Sequence, residues 1–170
     1  MGSAGLICID NYLAGAYPYG VRDQFRGDDI VLDNAIGFWV HRVYQAARNE
    51  LYRSFREHGL EITPEQWTIL LALWERDGRT QSELCEATFR DAPTMSRMID
   101  SLERQGLVKR RNDAADARAR AVWLTDTGRA IKKRLVPAAR VIVEKMTAGI
   151  PEADMQTTRE ALRRMFANLT

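Results

Sequence analysis

Cysteine and histidine are scarce in this chain of 170 residues, with two of each. Cys8 and Cys85 stand apart with no metal-ligand spacing, and two separated thiols make no disulfide framework, which fits a reducing compartment. His41 and His58 have no cysteine or carboxylate at a zinc-site spacing, so no metal is expected. The GxSxG, P-loop and GxGxxG patterns are missing as well, which leaves nucleophile-elbow and phosphate-cradle chemistry without a carrier. Neither an enzyme nor a cofactor is therefore expected. No apolar run approaches the roughly 20 residues of a membrane span, and the N-terminus lacks a basic segment followed by an apolar core. The expected location is cytoplasmic, with no membrane partner.

What is present is ordinary globular composition, 45% hydrophobic and 28% charged, in a length that suits about one domain. The net charge of +2 is small, but it is unevenly spread. Residues 1–33 hold two basic and five acidic side chains, whereas residues 90–120 hold eight basic and five acidic ones. An anionic partner would meet the middle of the chain rather than its start.

Along the chain, residues 1–32 show no sustained period and read as an N-terminal arm. From Asp33 a long helix is expected, with Ile36, Trp39, Val40, Val43, Ala47, Leu51 and Phe55 at three- and four-residue steps and Gly59 as its stop. A second helix opens at ITPEQW, where Thr63 caps, Pro64 takes the first turn and Gln66 completes a capping box; DGR ends it. TQSE is a second capping box and opens a short helix from Thr80 to about Ala87. After the turn TFRD, Asp91 caps a helix that runs to Gln105 and stops at Gly106. Two strands, LVKRR and RARAVWL, follow around the turn NDAAD. The last two helices carry Ile131, Leu135, Ala138, Ile142 and Met146, then Met155, Leu162, Met165, Phe166 and Leu169.

Two short helices across a tight turn, followed by a basic ribbon, is the order of a winged helix-turn-helix. In the helix capped by Asp91, Met95, Met98, Ile99 and Leu102 make one apolar stripe, and Thr94, Arg97, Ser101 and Arg104 fall opposite it. Small hydroxyls at Thr94 and Ser96 permit close approach to base edges in a major groove, and Arg97 can bond guanine bidentately. Lys109, Arg110 and Arg111 suit phosphate, which positions a protein without reading sequence. Arg118 and Arg120, on a tip with nothing apolar to bury, suit a narrow minor groove, with Asp113 or Asp116 bracing the guanidinium.

At these residues the chain resembles the MarR family of bacterial transcriptional regulators. The resemblance covers residues 62–135, and less specifically 34–170. It is carried by TQSEL, PTMSRMIDSLERQGLVKRR and DAADARARAVWLTDTG, most specifically by the spacing of Asp116, Arg118, Leu124, Thr125 and Gly128. It implies a mainly α fold with a small β-hairpin wing. Residues 61–125 would form the winged helix-turn-helix domain, and residues 33–60 and 126–170 a helical dimerisation region. It also implies a homodimer on double-stranded DNA, with Arg118 at the wing tip and a small, often anionic aromatic effector bound between the two regions. The arm is longer than the family usually carries.

For such an effector, Trp39, His41, Arg42, Tyr44 and Trp67 are the candidates, since an aromatic wall beside a cation is what an aromatic carboxylate requires, although the aromatic residues equally suit a core. The expected function is regulation, by repression, of a pseudo-palindromic operator, with release by ligand. Two alternatives stand beside it: a thiol sensor using Cys8, and a winged helix that binds proteins instead of DNA.

Overall fold

The computed structural model describes residues 25–26, 29–112 and 120–170. Contacts divide the chain into two units, residues 1–46 and 47–170. In the first, β1 (Phe25–Arg26) pairs antiparallel with β2 (Asp29–Ile30), and a 3-10 turn (Leu32–Asn34) precedes α1 (Ile36–Glu57). The expected helix thus begins later than Asp33. Ala35 is extended (φ −78, ψ 106), and the Asp33 carbonyl accepts a bond from Trp39 Nε1 at 2.7 Å.

The second unit contains the C-terminal part of α1, then α2 (Pro64–Glu75), β3 (Arg79–Thr80), α3 (Gln81–Thr88), α4 (Ala92–Arg104), β4 (Val108–Asn112), β5 (Arg120–Leu124), α5 (Asp126–Ala130), α6 (Lys132–Thr147) and α7 (Glu152–Leu169). No described helix is long and apolar enough to cross a membrane. Both capping boxes form. Thr63 Oγ1 accepts from the Gln66 amide while Gln66 Oε1 accepts from the Thr63 amide, and Thr80 and Glu83 repeat the exchange. Each box satisfies backbone donors that a helix start leaves orphaned.

The sheet has three strands in the order β3-β5-β4, one more than the hairpin read from the sequence. The added strand pairs Arg79 with Val122 and Thr80 with Ala121. It is two residues long, too short to show alternation in sequence. Asp77 sets its position: Oδ1 accepts from the amides of Gly78 and Leu124, and Oδ2 takes the Arg129 guanidinium at 2.8 Å. Gly78 is required twice over, because its φ is +74 and a Cβ there would lie 2.5 Å from the Trp123 ring. Gly128 answers a different need, since its Cβ would sit 2.0 Å from the Leu107 carbonyl oxygen.

The core gathers Phe55, Ile69, Leu70, Leu73, Leu84, Met95, Ile99, Leu102, Val122 and Leu135, each at most 1% exposed. Trp67 packs partly buried against it, 5.5 Å from both the Phe55 and Trp74 rings. Trp74 Nε1 donates to the Gly128 carbonyl at 3.0 Å, so the indole's polar atom is satisfied.

Candidate nucleic-acid interface

Helix α4 is built to present one face. Asp91 caps it by accepting from the Thr94 amide at 2.8 Å; that bond, followed by the Thr94 hydroxyl, holds the Asp91 carboxyl below the ordinary carboxylate range. Met95, Ile99 and Leu102 are wholly buried and dock the helix on the core. Opposite them, Arg97 and Arg104 are exposed and Thr94 is half-buried. Arg97 Nη2 donates to Thr94 Oγ1 at 3.2 Å, and neither arginine forms a salt bridge among the described residues. A shallow groove runs between Arg97, Asp100, Glu103 and Arg104.

Two of the expected contacts, Ser101 and Arg110, have side-chain bonds within the chain. The Ser101 hydroxyl accepts from Gln66 Nε2 at 3.0 Å, which fastens α4 to the capping box of α2. Ser96 is half-buried, and its carbonyl accepts from Arg110 Nη2 at 3.3 Å. Arg110 itself bonds Asp100 Oδ1 at 2.7 Å and forms a shorter bond to Glu103 Oε2. Strand parity explains this orientation. Val108, two residues earlier and so on the same face, is buried at 2% exposure, and Arg110 stands opposite the buried Val122. In LVKRR the three consecutive cations hide that alternation. Lys109 and Arg111 lie on the other face, with Lys109 opposite Trp123 and Arg111 opposite Ala121.

On the wing, β5 begins at Arg120, paired in register with Asn112. Arg118, with Asp113 and Asp116, lies outside the described residues, as does Cys8. Cys85 is half-buried in α3, and burial, then the carboxylates of Asp91 and Glu86, push its thiol above the ordinary range. Such a thiol is a poor thiolate source and does not suit a peroxide sensor.

The ligand candidates fall in both units. In the first, the Arg42 guanidinium lies 5.4 Å from the Phe38 ring centre and 5.6 Å from that of Trp39, and the two rings meet edge to face. Trp39, His41 and Tyr44 are exposed on the same helix. Phe38, which completes this cluster, was missed in the sequence because it lies off the apolar stripe. In the second unit, Trp67 belongs to the aromatic packing already described.

A helix capped by an acid, docked through one stripe and followed by an antiparallel wing defines a winged helix-turn-helix protein. The profile of the MarR family matches residues 60–119. The chain is 30% identical over 149 residues to the HTH-type transcriptional repressor NicR of Pseudomonas putida, covering 88% of this chain and 86% of that protein. It is 34% identical over 110 residues to the HTH-type transcriptional regulator TtmR of Methylorubrum extorquens, covering 65% of this chain but only 55% of that longer protein. Among solved structures, Bordetella bronchiseptica BpsR, whose DNA binding is regulated by 6-hydroxynicotinic acid, superposes with a TM-score of 0.72 at 26% identity. That match spans 81% of this chain and 96% of BpsR. The chain belongs to the MarR family of transcriptional regulators.

Proposed function

We propose that this regulator binds a pseudo-palindromic DNA operator as a homodimer, represses, and is released by a small anionic aromatic ligand. The observation that carries the reading is the outward face of α4: Thr94, Arg97 and Arg104 stand opposite a fully buried stripe, with both guanidinium groups outside any salt bridge among the described residues. An exposed cationic face at a helix capped by a small acid suits insertion in a major groove. Lys109 and Arg111, on the wing face away from α4, suit phosphate contacts, and Arg118 and Arg120 suit the minor groove by the sequence pattern.

Two such helices in a dimer read half-sites about one helical turn, roughly 34 Å, apart. The dimer surface is drawn from the terminal helices, where Leu162, Met165, Phe166 and Leu169 of α7 are exposed. For the effector, the Phe38, Trp39 and Arg42 cluster offers two aromatic edges and a cation, with His41 and Tyr44 on the same helix. An aromatic carboxylate matches that chemistry. Full release requires the ligand to prefer the non-binding state by about 10⁴-fold.

Selection of bound duplexes from a random pool, with and without aromatic acids, tests the whole reading. On the selected operator, Arg97→Ala should cost about 1–3 kcal/mol at one base position per half-site, and Lys109→Ala should weaken all duplexes alike. With about 6–10 phosphate contacts, affinity should fall roughly 10³–10⁵-fold between 50 and 200 mM salt. Equal losses for Arg97→Ala on selected and random duplexes would overturn the assignment of Arg97.

A further inference from the structure

Arg110 was the middle cation of a basic run, and its surroundings argue against phosphate as its partner. The guanidinium reaches three acceptors on α4: Asp100 Oδ1 at 2.7 Å, Glu103 Oε2, and the Ser96 carbonyl at 3.3 Å. Its own backbone amide donates to Glu103 Oε1 at 2.7 Å, so the Glu103 carboxylate grips both the main chain and the side chain of one wing residue. The side chain is 19% exposed. Two carboxylates surround one cation, so this cluster presents no surplus positive charge to DNA.

We propose that Arg110 is a positioning residue that locks the wing to the reading helix, setting the angle at which α4 and the hairpin enter adjacent grooves, and so determines specificity rather than gross affinity. The acceptors span residues 96–103, about two turns of α4. A planar guanidinium has five donors in a rigid fork and can hold three acceptors at once, whereas an ammonium on a flexible stem behaves as a point charge. The wing joins α4 through a short connection at Gly106 and Leu107, and its core-side residues Val108 and Val122 pack without directional bonds. β3 and Asp77 hold the wing from the side of α2, and the Arg110 cluster adds a side-chain directional restraint against α4 itself; recognition geometry tolerates only about 10–20° of misalignment.

This role rests on the DNA-binding reading above, and the test separates the two. The full-length chain is titrated with its selected operator and with a random duplex of equal length, across a salt series, as wild type, Arg110→Lys, Arg110→Gln, Glu103→Gln and the Arg110→Lys/Glu103→Gln double variant. The expected result is a roughly 5–30-fold loss on the operator for Arg110→Lys despite its retained charge, with little change on random duplex and an unchanged salt slope. Glu103→Gln should also weaken operator binding, although removing a negative charge near DNA would by itself tighten it. The double variant should lose no more than the worse single variant, because both break one network.

Arg110→Lys binding like wild type, with Arg110→Gln lowering the slope by about 0.9 per protomer and weakening both duplexes, would make Arg110 a phosphate contact and overturn the proposal. Tighter binding by Glu103→Gln would overturn it equally. A misfolded variant is recognised by loss on both duplexes and in its thermal unfolding, and the charge-retaining Lys and the Glu103 variants then decide. Wild type binding no duplex at low salt would instead remove the functional reading, and this role with it.

Discussion

In α4, Met95, Ile99 and Leu102 are wholly buried. In α7, no residue is buried, and Leu162, Met165, Phe166 and Leu169 remain 42, 40, 55 and 86% exposed. Both helices carry apolar residues at helical spacing, so periodicity identifies the helix without saying what covers its stripe. For α4 the cover comes from the same chain: α2, α3 and the wing. For α7 the described residues supply little, the clearest aromatic contact being Phe166 against Phe89, edge to face at 5.6 Å. Phe89 itself sits at φ 52 in the turn before α4, a conformation uncommon for a bulky residue. The contrast teaches that an apolar stripe closes the protomer only where other segments meet it; under the proposed function, the stripe of α7 serves association.

The largest effect should come from attacking the closed side of that contrast. Leu102→Ala leaves a cavity beneath α4 and should cost about 2–5 kcal/mol of protomer stability, read from denaturant unfolding. A loss under 1 kcal/mol would mean that α4 is held by its polar ties instead. Attacking the open side should do the reverse. Met165→Glu should leave protomer stability within about 0.5 kcal/mol while weakening self-association at least 100-fold, about 2.8 kcal/mol, by sedimentation equilibrium. A dimer that survives Met165→Glu would move the interface off α7.

Smaller effects sharpen the same comparison at the helix ends. Thr80→Ala removes the cap of α3 and should cost about 1 kcal/mol, whereas α7 has no side-chain cap to lose. Acid should act on the capped helices first. Glu83 is lowered from 4.5 to about 2, chiefly by the Thr80 amide and then by Arg76. A carboxylate whose folded value is depressed stabilises the fold above its ordinary value and loses that contribution as pH falls through the folded one. Stability should therefore decline between pH 4.5 and about 2, and Glu83→Gln should flatten that part of the profile of thermal midpoint against pH. An unchanged profile would show that the box contributes nothing through charge.

Much of this molecule was legible without coordinates, because its signals are local. Thr63, Gln66, Thr80, Glu83 and Asp91 act within one helical turn, and spacing alone identifies them as caps. The stripe of α4 and the order of helices and wing followed from periodicity. Residues whose partners lie far along the chain were not legible. β3 is two residues long and exists through Asp77 and β5, some 45 residues away. Ser101 looked like an outward hydroxyl until Gln66, 35 residues earlier, was seen to hold it. Arg110 looked like its neighbours Lys109 and Arg111, and only packing against α4 showed that its charge is already matched.

The sequence by itself determined where the capped helices start, which residues could face a core and where cationic side chains concentrate, since these depend on interactions within a few residues. Tertiary structure alone decided which of those cations turn inward and which apolar stripes find cover. Those outcomes depend on distant segments meeting, and a linear pattern does not contain the identity of the surface that each face meets.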